Sequence, residues 1–161
     1  MKINEKHLEF VQNNITRMSQ CSFQMKGWSL TIDSALIAIF VSTISNENVG
    51  NRLYILSAII TTFLFWCLDS MYLSKERKFI GIYNDLIGVS NGKKRKHIEI
   101  REFEMPLKKY KGWKYCIVAS AISLSEILFY GSIIIGLVIF SKVIYCCGMY
   151  FCHYAYPWSV A

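Results

Sequence analysis

Three acidic residues of this sequence lie within or beside long apolar stretches: Asp33, Asp69 and Glu126. A carboxylate at membrane depth is costly unless it faces water or a partner, so intramembrane acids often mark ion pathways. In an assembly of copies, these three carboxylates could ring the cytoplasmic mouth of a pore and favour cations. The alternative for Asp69 and Glu126 is an ordinary interfacial charge paired with Lys26 or Arg77. For Asp33, a pore role and a helix-packing role both remain open.

A second set of residues combines positive charge with aromatic rings. Cations neutralise phosphates and aromatic rings stack on bases, so this combination predicts a site for a nucleic acid or an oligonucleotide signal. The same cations could instead hold the segment to anionic lipid and set its topology. The residues are Lys93, Lys94, Arg95, Lys96, Arg101, Lys108, Lys109, Tyr110, Lys111 and Trp113.

The sequence carries none of the familiar signals of catalysis. His7, His97 and His153 fall in three separate regions, and neither a Cys-x-x-Cys pair nor an HExxH motif occurs. VSNGK at residues 89–93 reads as a turn and not as a phosphate-binding loop. We therefore expect no enzyme activity, no bound metal and no cofactor.

Composition indicates the environment in which these residues act. The chain has 161 residues, enough for one domain or one small membrane module. Its residues are 53% hydrophobic with a mean hydropathy of +0.31, too apolar for a soluble domain of this size unless the apolar residues are concentrated in spans. They are so concentrated, which predicts an all-α integral membrane protein lying in a lipid bilayer.

Residues 1–27 predict an amphipathic, cytoplasmic N-terminal helix. Leu8, Val11, Ile15 and Met18 are spaced three and four apart, with polar residues between them. That seam could join copies of the chain. Alternatively, the helix could lie on the membrane surface or against its own second half.

The apolar runs predict a transmembrane hairpin over residues 28–73 and a third, C-terminal transmembrane helix. Residues 115–145 are longer than one crossing requires, so we expect an interfacial lead-in followed by a span from about residue 127. The tail, residues 146–161, is rich in aromatics and contains Cys146, Cys147 and Cys152. An oxidised pair there is possible, although adjacent cysteines are poorly placed to bond each other.

The distribution of lysines and arginines predicts which side of the membrane each segment lies on. Residues 75–114 contain twelve of them and the hairpin connector contains Arg52 alone. Because positive loops stay in the cytoplasm, we expect the N-terminus and the basic segment 74–114 there, and the tail in the periplasm, of a bacterial inner membrane. Within the basic segment we expect a helix continuing out of the second span, a turn at Asn91-Gly92, and a short strand through Ile98, Ile100 and Phe103.

Three stretches resemble a recurrent family of small bacterial membrane proteins. They are HLEFVQNNITRM at residues 7–18, SFQMKGW at 22–28 and FWCLDSMYLSKERKFIGIYNDL at 65–86. The resemblance covers about the first 90 residues. Asp33 departs from the family pattern, whose first span is more uniformly apolar, so a pore role for Asp33 is not implied by it. The matched positions are Trp66, Asp69, Tyr72, Leu73, Glu76, Arg77 and Tyr83.

We associate this family with anti-phage defence, and most closely with the transmembrane effector of the Hailong system. The resemblance implies an ion channel controlled by nucleotide oligomers from a partner nucleotidyltransferase. It implies a gate where one helix runs from the membrane into the cytoplasm, at Asp69, Tyr72, Glu76 and Arg77. We expect a homo-oligomer, with a tetramer favoured, that depolarises the membrane and arrests or kills the infected cell. The alternative is a non-conducting anchor that recruits a cytoplasmic partner.

Overall fold

The architecture is a long helical hairpin with a third long helix beside it. The computed structural model describes residues 5–45, 48–49, 52–88, 100 and 104–155, and only the backbone of residues 45, 48, 49 and 147–155. Its elements in chain order are α1 (Glu5–Ser42), β1 (Ile44–Ser45), β2 (Asn48–Val49), α2 (Arg52–Leu86), α3 (Ile117–Ala121) and α4 (Leu124–Ala155). Short 3₁₀ helices at Leu107–Lys109 and Trp113–Tyr115 precede α3.

The first helix is one continuous element of 38 residues. At 1.5 Å per residue it is about 57 Å long, well beyond the hydrocarbon thickness of a bilayer. The predicted N-terminal helix and the predicted first span therefore form a single helix, and the boundary between residues 27 and 28 lies inside it. The polar residues before that boundary do not interrupt it, because backbone hydrogen bonds along a helix do not depend on hydropathy.

The two helices of the hairpin run antiparallel in a constant register. Lys26 of α1 contacts Asp69 of α2, and seven residues further along α1, Asp33 accepts a hydrogen bond from Thr62, seven residues earlier in α2. The chain reverses through a two-residue antiparallel ladder that pairs Ile44 with Val49. Polar contacts between side chains thus fix how α1 and α2 align along their length.

The chain then returns to the side of α2. Helix α3 packs on α2 and ends at Ala121, and α4 begins three residues later at Leu124. Helix α4 also lies against α2, and it meets α1 where the rings of Phe40 and Phe140 pack edge to face with centroids 6.1 Å apart.

Three of the described helices, α1, α2 and α4, are long and apolar enough to cross a membrane. The prediction of a helical chain with three candidate spans is confirmed. In the most apolar part of α4 only 11% of the residues are buried, and the others are partly or fully exposed. Such a surface is consistent with a protein that sits in lipid.

A small apolar core lies at the end of the hairpin away from the connector. Val11, Phe79, Ile82, Tyr110 and Tyr115 are buried there. Ile15 and Met18, which belong to the predicted apolar seam, pack against the same core. These residues of the seam therefore contact other parts of the same chain. Ile100, which belongs to the predicted strand, is buried in this core but has no regular secondary structure. Ile98, Phe103 and the predicted turn at residues 91–92 lie outside the described residues.

Candidate functional site

A buried ion cluster joins α1, α2 and α4. The ammonium of Lys26 contacts the carboxylate of Asp69, and its Nζ lies 2.7 Å from Oε1 of Glu126 and 3.2 Å from Oγ of Ser22. An ammonium has three N–H donors, so these three acceptors use all of them. The side chains of Asp69 and Glu126 are 0% and 1% exposed. Of the two cations that the sequence offered as partners, Lys26 holds both acids, and it does so from a third helix.

Aromatic rings close the ion cluster from the side of α4. The hydroxyl of Tyr130 donates a hydrogen bond of 3.1 Å to Asp69, and its ring stacks on Trp66 at a centroid distance of 6.1 Å. The Lys26 ammonium also lies 5.9 Å from the ring centroids of both Tyr130 and Phe129. Rings at this distance attract a desolvated cation, which adds to the hold on Lys26.

The cluster holds one positive charge against two carboxylates. Asp69 Oδ1 and Glu126 Oε2 are buried without a hydrogen-bond partner among the described residues. A buried pair is strongly destabilised when one partner is removed, because the other is left as an uncompensated charge. Loss of Lys26 alone should therefore destabilise the contact between these three helices strongly.

Asp33 forms a second, separate polar contact inside the hairpin. It is 3% exposed, and its Oδ2 accepts hydrogen bonds from Thr62 Oγ1 at 2.8 Å and from Ser29 Oγ at 3.2 Å. The side chain thus faces α2 and not the outer surface of the chain. Of the two roles left open for Asp33, helix packing agrees with this placement, whereas lining a pore between copies would require the hairpin to open.

Thr62→Val tests the packing role of Asp33. Valine keeps the shape of threonine but removes the hydroxyl donor, and the loss leaves a buried carboxylate oxygen with one partner fewer. We expect the free energy of unfolding in detergent micelles to fall by about 1–3 kcal/mol. Thr31→Val is the matched control, since Thr31 is exposed and its hydroxyl donates to the carbonyl of Gly27 within the same helix. Equal losses from the two variants would contradict a special role for the contact between Thr62 and Asp33.

A basic and aromatic pocket of about 240 Å³ lies at the cytoplasmic end of α2 in the predicted topology. Arg77 and Asn84 line it from α2, and Lys111, Trp113 and Lys114 line it from the segment before α3. The Trp113 side chain is 71% exposed, so one face of its ring is open to a ligand. Three cations, an amide and a free indole match the requirements of a phosphate joined to a planar base.

Tyr110 does not belong to the pocket surface, which corrects its predicted role in base stacking. It is 2% exposed, its hydroxyl donates a hydrogen bond of 2.6 Å to Asp85, and its ring packs edge to face on Tyr115. Its ring also lies over Gly81, where an added Cβ would be 2.8 Å from the nearest ring atoms. Tyr110 therefore anchors the segment that carries Lys111 and Trp113 to the face of α2.

Arg77 connects the pocket to the rest of the molecule. Its guanidinium donates to the carbonyl of Ala119, at 3.3 Å, and the indole N–H of Trp66 donates to that of Ala121, at 3.2 Å. Both carbonyls belong to α3, a helix of five residues whose last carbonyls have no partner within the helix itself. Two side chains of α2 therefore clamp α3, and α3 leads within five residues to Glu126.

The remaining predicted site residues are dispersed. Lys108 is exposed, and Lys109 pairs with Glu104 at 3.1 Å. Lys75 lies over the ring of Tyr72, and Glu76 is half-buried on the same helix. Lys93 to Lys96 and Arg101 lie outside the described residues.

The sequence does not predict Asn84 and Lys114 as pocket residues, and it offers Arg77 as part of the gate or as an ion-pair partner, not as part of the pocket. These residues come together because the chain after residue 104 returns to the side of α2. No local pattern in the sequence predicts that return.

Comparison with protein-family models, curated proteins and solved structures finds no match to this chain.

In the described part of the chain, no group of three or more His, Cys, Asp or Glu side chains is placed to hold a metal ion.

Proposed function

We propose that this chain is a membrane effector of anti-phage defence. It would act as a homo-oligomeric ion channel, with a tetramer favoured, in the bacterial inner membrane, controlled by a nucleotide or oligonucleotide signal from a partner nucleotidyltransferase. On activation it depolarises the membrane. The observation that carries the proposal is the double role of Arg77, which lines the basic pocket and also holds α3 through Ala119.

The first step is capture of the signal in the pocket. Phosphate oxygens accept charge-assisted hydrogen bonds from guanidinium and ammonium groups, which Arg77, Lys111 and Lys114 supply. The exposed ring of Trp113 provides a stacking surface for a base. A short oligonucleotide offers both groups at once and so fits better than inorganic phosphate.

The second step couples the pocket to the ion cluster. The guanidinium of Arg77 has five N–H donors, and one of them is used on the carbonyl of Ala119. A phosphate that takes two of the others side by side turns the guanidinium towards the pocket and away from that carbonyl, because a charged acceptor is the stronger of the two. Loss of that bond frees one half of the clamp on α3. Because α3 leads directly to Glu126, its displacement pulls on the contact with Lys26.

The third step concerns ions. In the conformation described above, the carboxylates of Asp69 and Glu126 are turned inwards, and both are paired with the single ammonium of Lys26. Separation from Lys26 would leave two buried carboxylates that must find water or cations. The outward apolar faces of α1, α2 and α4 provide the surfaces on which copies can assemble around such a path.

Conductance of proteoliposomes tests the proposal. Full-length chain in liposomes should change its conductance when short DNA oligonucleotides are added on the side of the pocket, and Arg77→Gln combined with Lys111→Gln should reduce that response at least tenfold. Lys78→Gln is the matched control, because Lys78 follows Arg77 on α2 but does not line the pocket. If wild-type liposomes pass no current with or without oligonucleotides, the chain is not the proposed channel.

A second candidate function is a non-conducting anchor that recruits a cytoplasmic partner through residues 75–114. The burial of Asp33, Asp69 and Glu126 within one chain favours it, because these acids then serve packing and need no pore. An anchor predicts that cells expressing the chain retain their membrane potential while deletion of residues 93–111 abolishes toxicity. A channel predicts depolarisation, read with a voltage-sensitive dye, that precedes the loss of viability.

A further inference from the structure

A groove lies between α2 and α4 at the end of the molecule opposite the basic pocket. It has a volume of about 870 Å³. Ile55, Leu56 and Ile59 of α2 form its apolar wall. Arg52, Ser141, Lys142 and Tyr145 line the same groove, so one site combines an aliphatic surface with two cations and two hydroxyls.

The two cations lie at the depth of a membrane surface. Arg52 precedes Asp69 by 17 residues on α2, and Lys142 follows Glu126 by 16 residues on α4. At 1.5 Å per residue both are about 25 Å from the ion cluster, close to the thickness of the hydrocarbon layer. With the ion cluster near the inner face, the groove opens at the outer face, and its apolar wall extends into the hydrocarbon.

The positive-inside rule does not account for cations at the outer face, because positive residues are otherwise concentrated on the cytoplasmic side. Their presence there therefore suggests an anionic partner. Arg52 is also the first residue of α2, where the helix dipole adds to the attraction for an anion. Its guanidinium lies 4.2 Å from the ring centroid of Tyr145. A guanidinium has five N–H donors, so this ring contact leaves donors for an acceptor in the groove.

Tyr145 provides a further polar group. Its hydroxyl is buried and has no hydrogen-bond partner among the described residues. A buried hydroxyl without a partner is costly, so a turn of the Tyr145 side chain towards an acceptor in the groove would satisfy it. The ester and glycerol oxygens of a lipid lie just below the phosphate, at the boundary with the acyl chains.

We propose that the groove lined by Arg52, Lys142 and Tyr145 binds one anionic phospholipid of the outer leaflet. The phosphate lies between Arg52 and Lys142, and one acyl chain lies along Ile55, Leu56 and Ile59. Charge complementarity selects an anionic headgroup, because a zwitterionic lipid brings its own cation to a site that already holds two.

Native mass spectrometry of the full-length chain in detergent tests the proposal. The probes are phosphatidylglycerol and phosphatidylcholine with identical acyl chains, each titrated separately. We expect phosphatidylglycerol to bind at least tenfold more tightly, and Arg52→Gln combined with Lys142→Gln to abolish that preference. Glycerol 3-phosphate at the same concentration should not compete, because it lacks the acyl chain that the apolar wall holds.

A relocated charge provides the matched control. Lys142→Gln combined with Val143→Lys keeps the net charge and the depth of the cation but moves it out of the groove, since Val143 is exposed and does not line it. This variant should lose most of the preference. Arg52→Lys combined with Lys142→Arg keeps both charges in the groove and should retain it.

Three results would overturn the proposal. The first is equal binding of the two lipids by the wild-type chain. The second is an undiminished preference in the relocated-charge variant, which would indicate attraction by bulk charge. The third is a lipid-free dimer that the double glutamine variant dissociates, because a second copy would then occupy the groove.

Discussion

Lys26→Met is expected to lower the free energy of unfolding by about 3–5 kcal/mol, the cost of removing one partner from a buried ion pair. Methionine fills a similar volume, so the loss comes from two carboxylates, Asp69 and Glu126, that are left buried together without a cation. Chemical unfolding of the purified chain in micelles measures the change. A loss of this size is a large fraction of the stability of most proteins, so little folded protein should accumulate in membranes.

The control and the rescue separate charge from packing. Arg17→Gln removes a cation from the exposed side of the same helix and should change the stability by no more than about 0.5 kcal/mol. Lys26→Met together with Asp69→Asn and Glu126→Gln removes all three charges and should recover most of the loss, because no unpaired charge remains. If the triple variant is as unstable as Lys26→Met alone, buried charge is not the cause.

Gly81→Val is expected to detach the segment that carries Lys111 and Trp113 from α2. Even a Cβ at Gly81 would lie 2.8 Å from the ring of Tyr110 and 3.0 Å from the hydroxyl of Tyr115. Neither ring has room to yield, since Tyr110 is held by Asp85 and both are buried. The free energy of unfolding should fall by up to about 3 kcal/mol, the usual upper range for overpacking.

Two measurements test whether Gly81→Val acts by detaching the segment that carries Lys111 and Trp113. The intrinsic fluorescence of the chain should change if the surroundings of Trp113 are altered, and the conductance response to oligonucleotides should fall at least tenfold. Gly136→Val makes the same substitution on α4, where an added Cβ meets nothing within 4 Å, and should leave both unchanged. An intact oligonucleotide response in Gly81→Val would show that the contact between α2 and Tyr110 does not shape the ligand site.

The helical spans could be predicted from the sequence because their signal is local. A run of apolar residues long enough to cross hydrocarbon identifies α2 and α4 without knowledge of any other part of the chain. The continuity of α1 could not be predicted in the same way. Hydropathy changes near Gly27 and predicts a boundary between two elements there, whereas the backbone of α1 continues through it as one helix.

The pairing of the site residues depends on how distant segments meet. Asp69 and Glu126 were identified as unusual from their surroundings, but the choice between Lys26 and Arg77 as their partner requires the register of the hairpin and the position of α4. Tyr110 illustrates the opposite failure. An aromatic residue among lysines is typical of a stacking site, but the ring of Tyr110 is buried against Gly81 and Tyr115, which are brought to it by the fold.

The continuous first helix has a mechanical consequence. A helix of this length bends only gently, so it moves nearly as a rigid rod. Lys26 ties it to both other spans, with about 32 Å of rod on the side of Glu5 and about 24 Å on the side of Ser42. Val11 near one end of the rod and Phe40 near the other also pack against other parts of the chain, so a push on the first turn is carried along the rod to those contacts. Force applied to the first turns of the chain would thus reach the hairpin connector without any change in the fold of the helix between them.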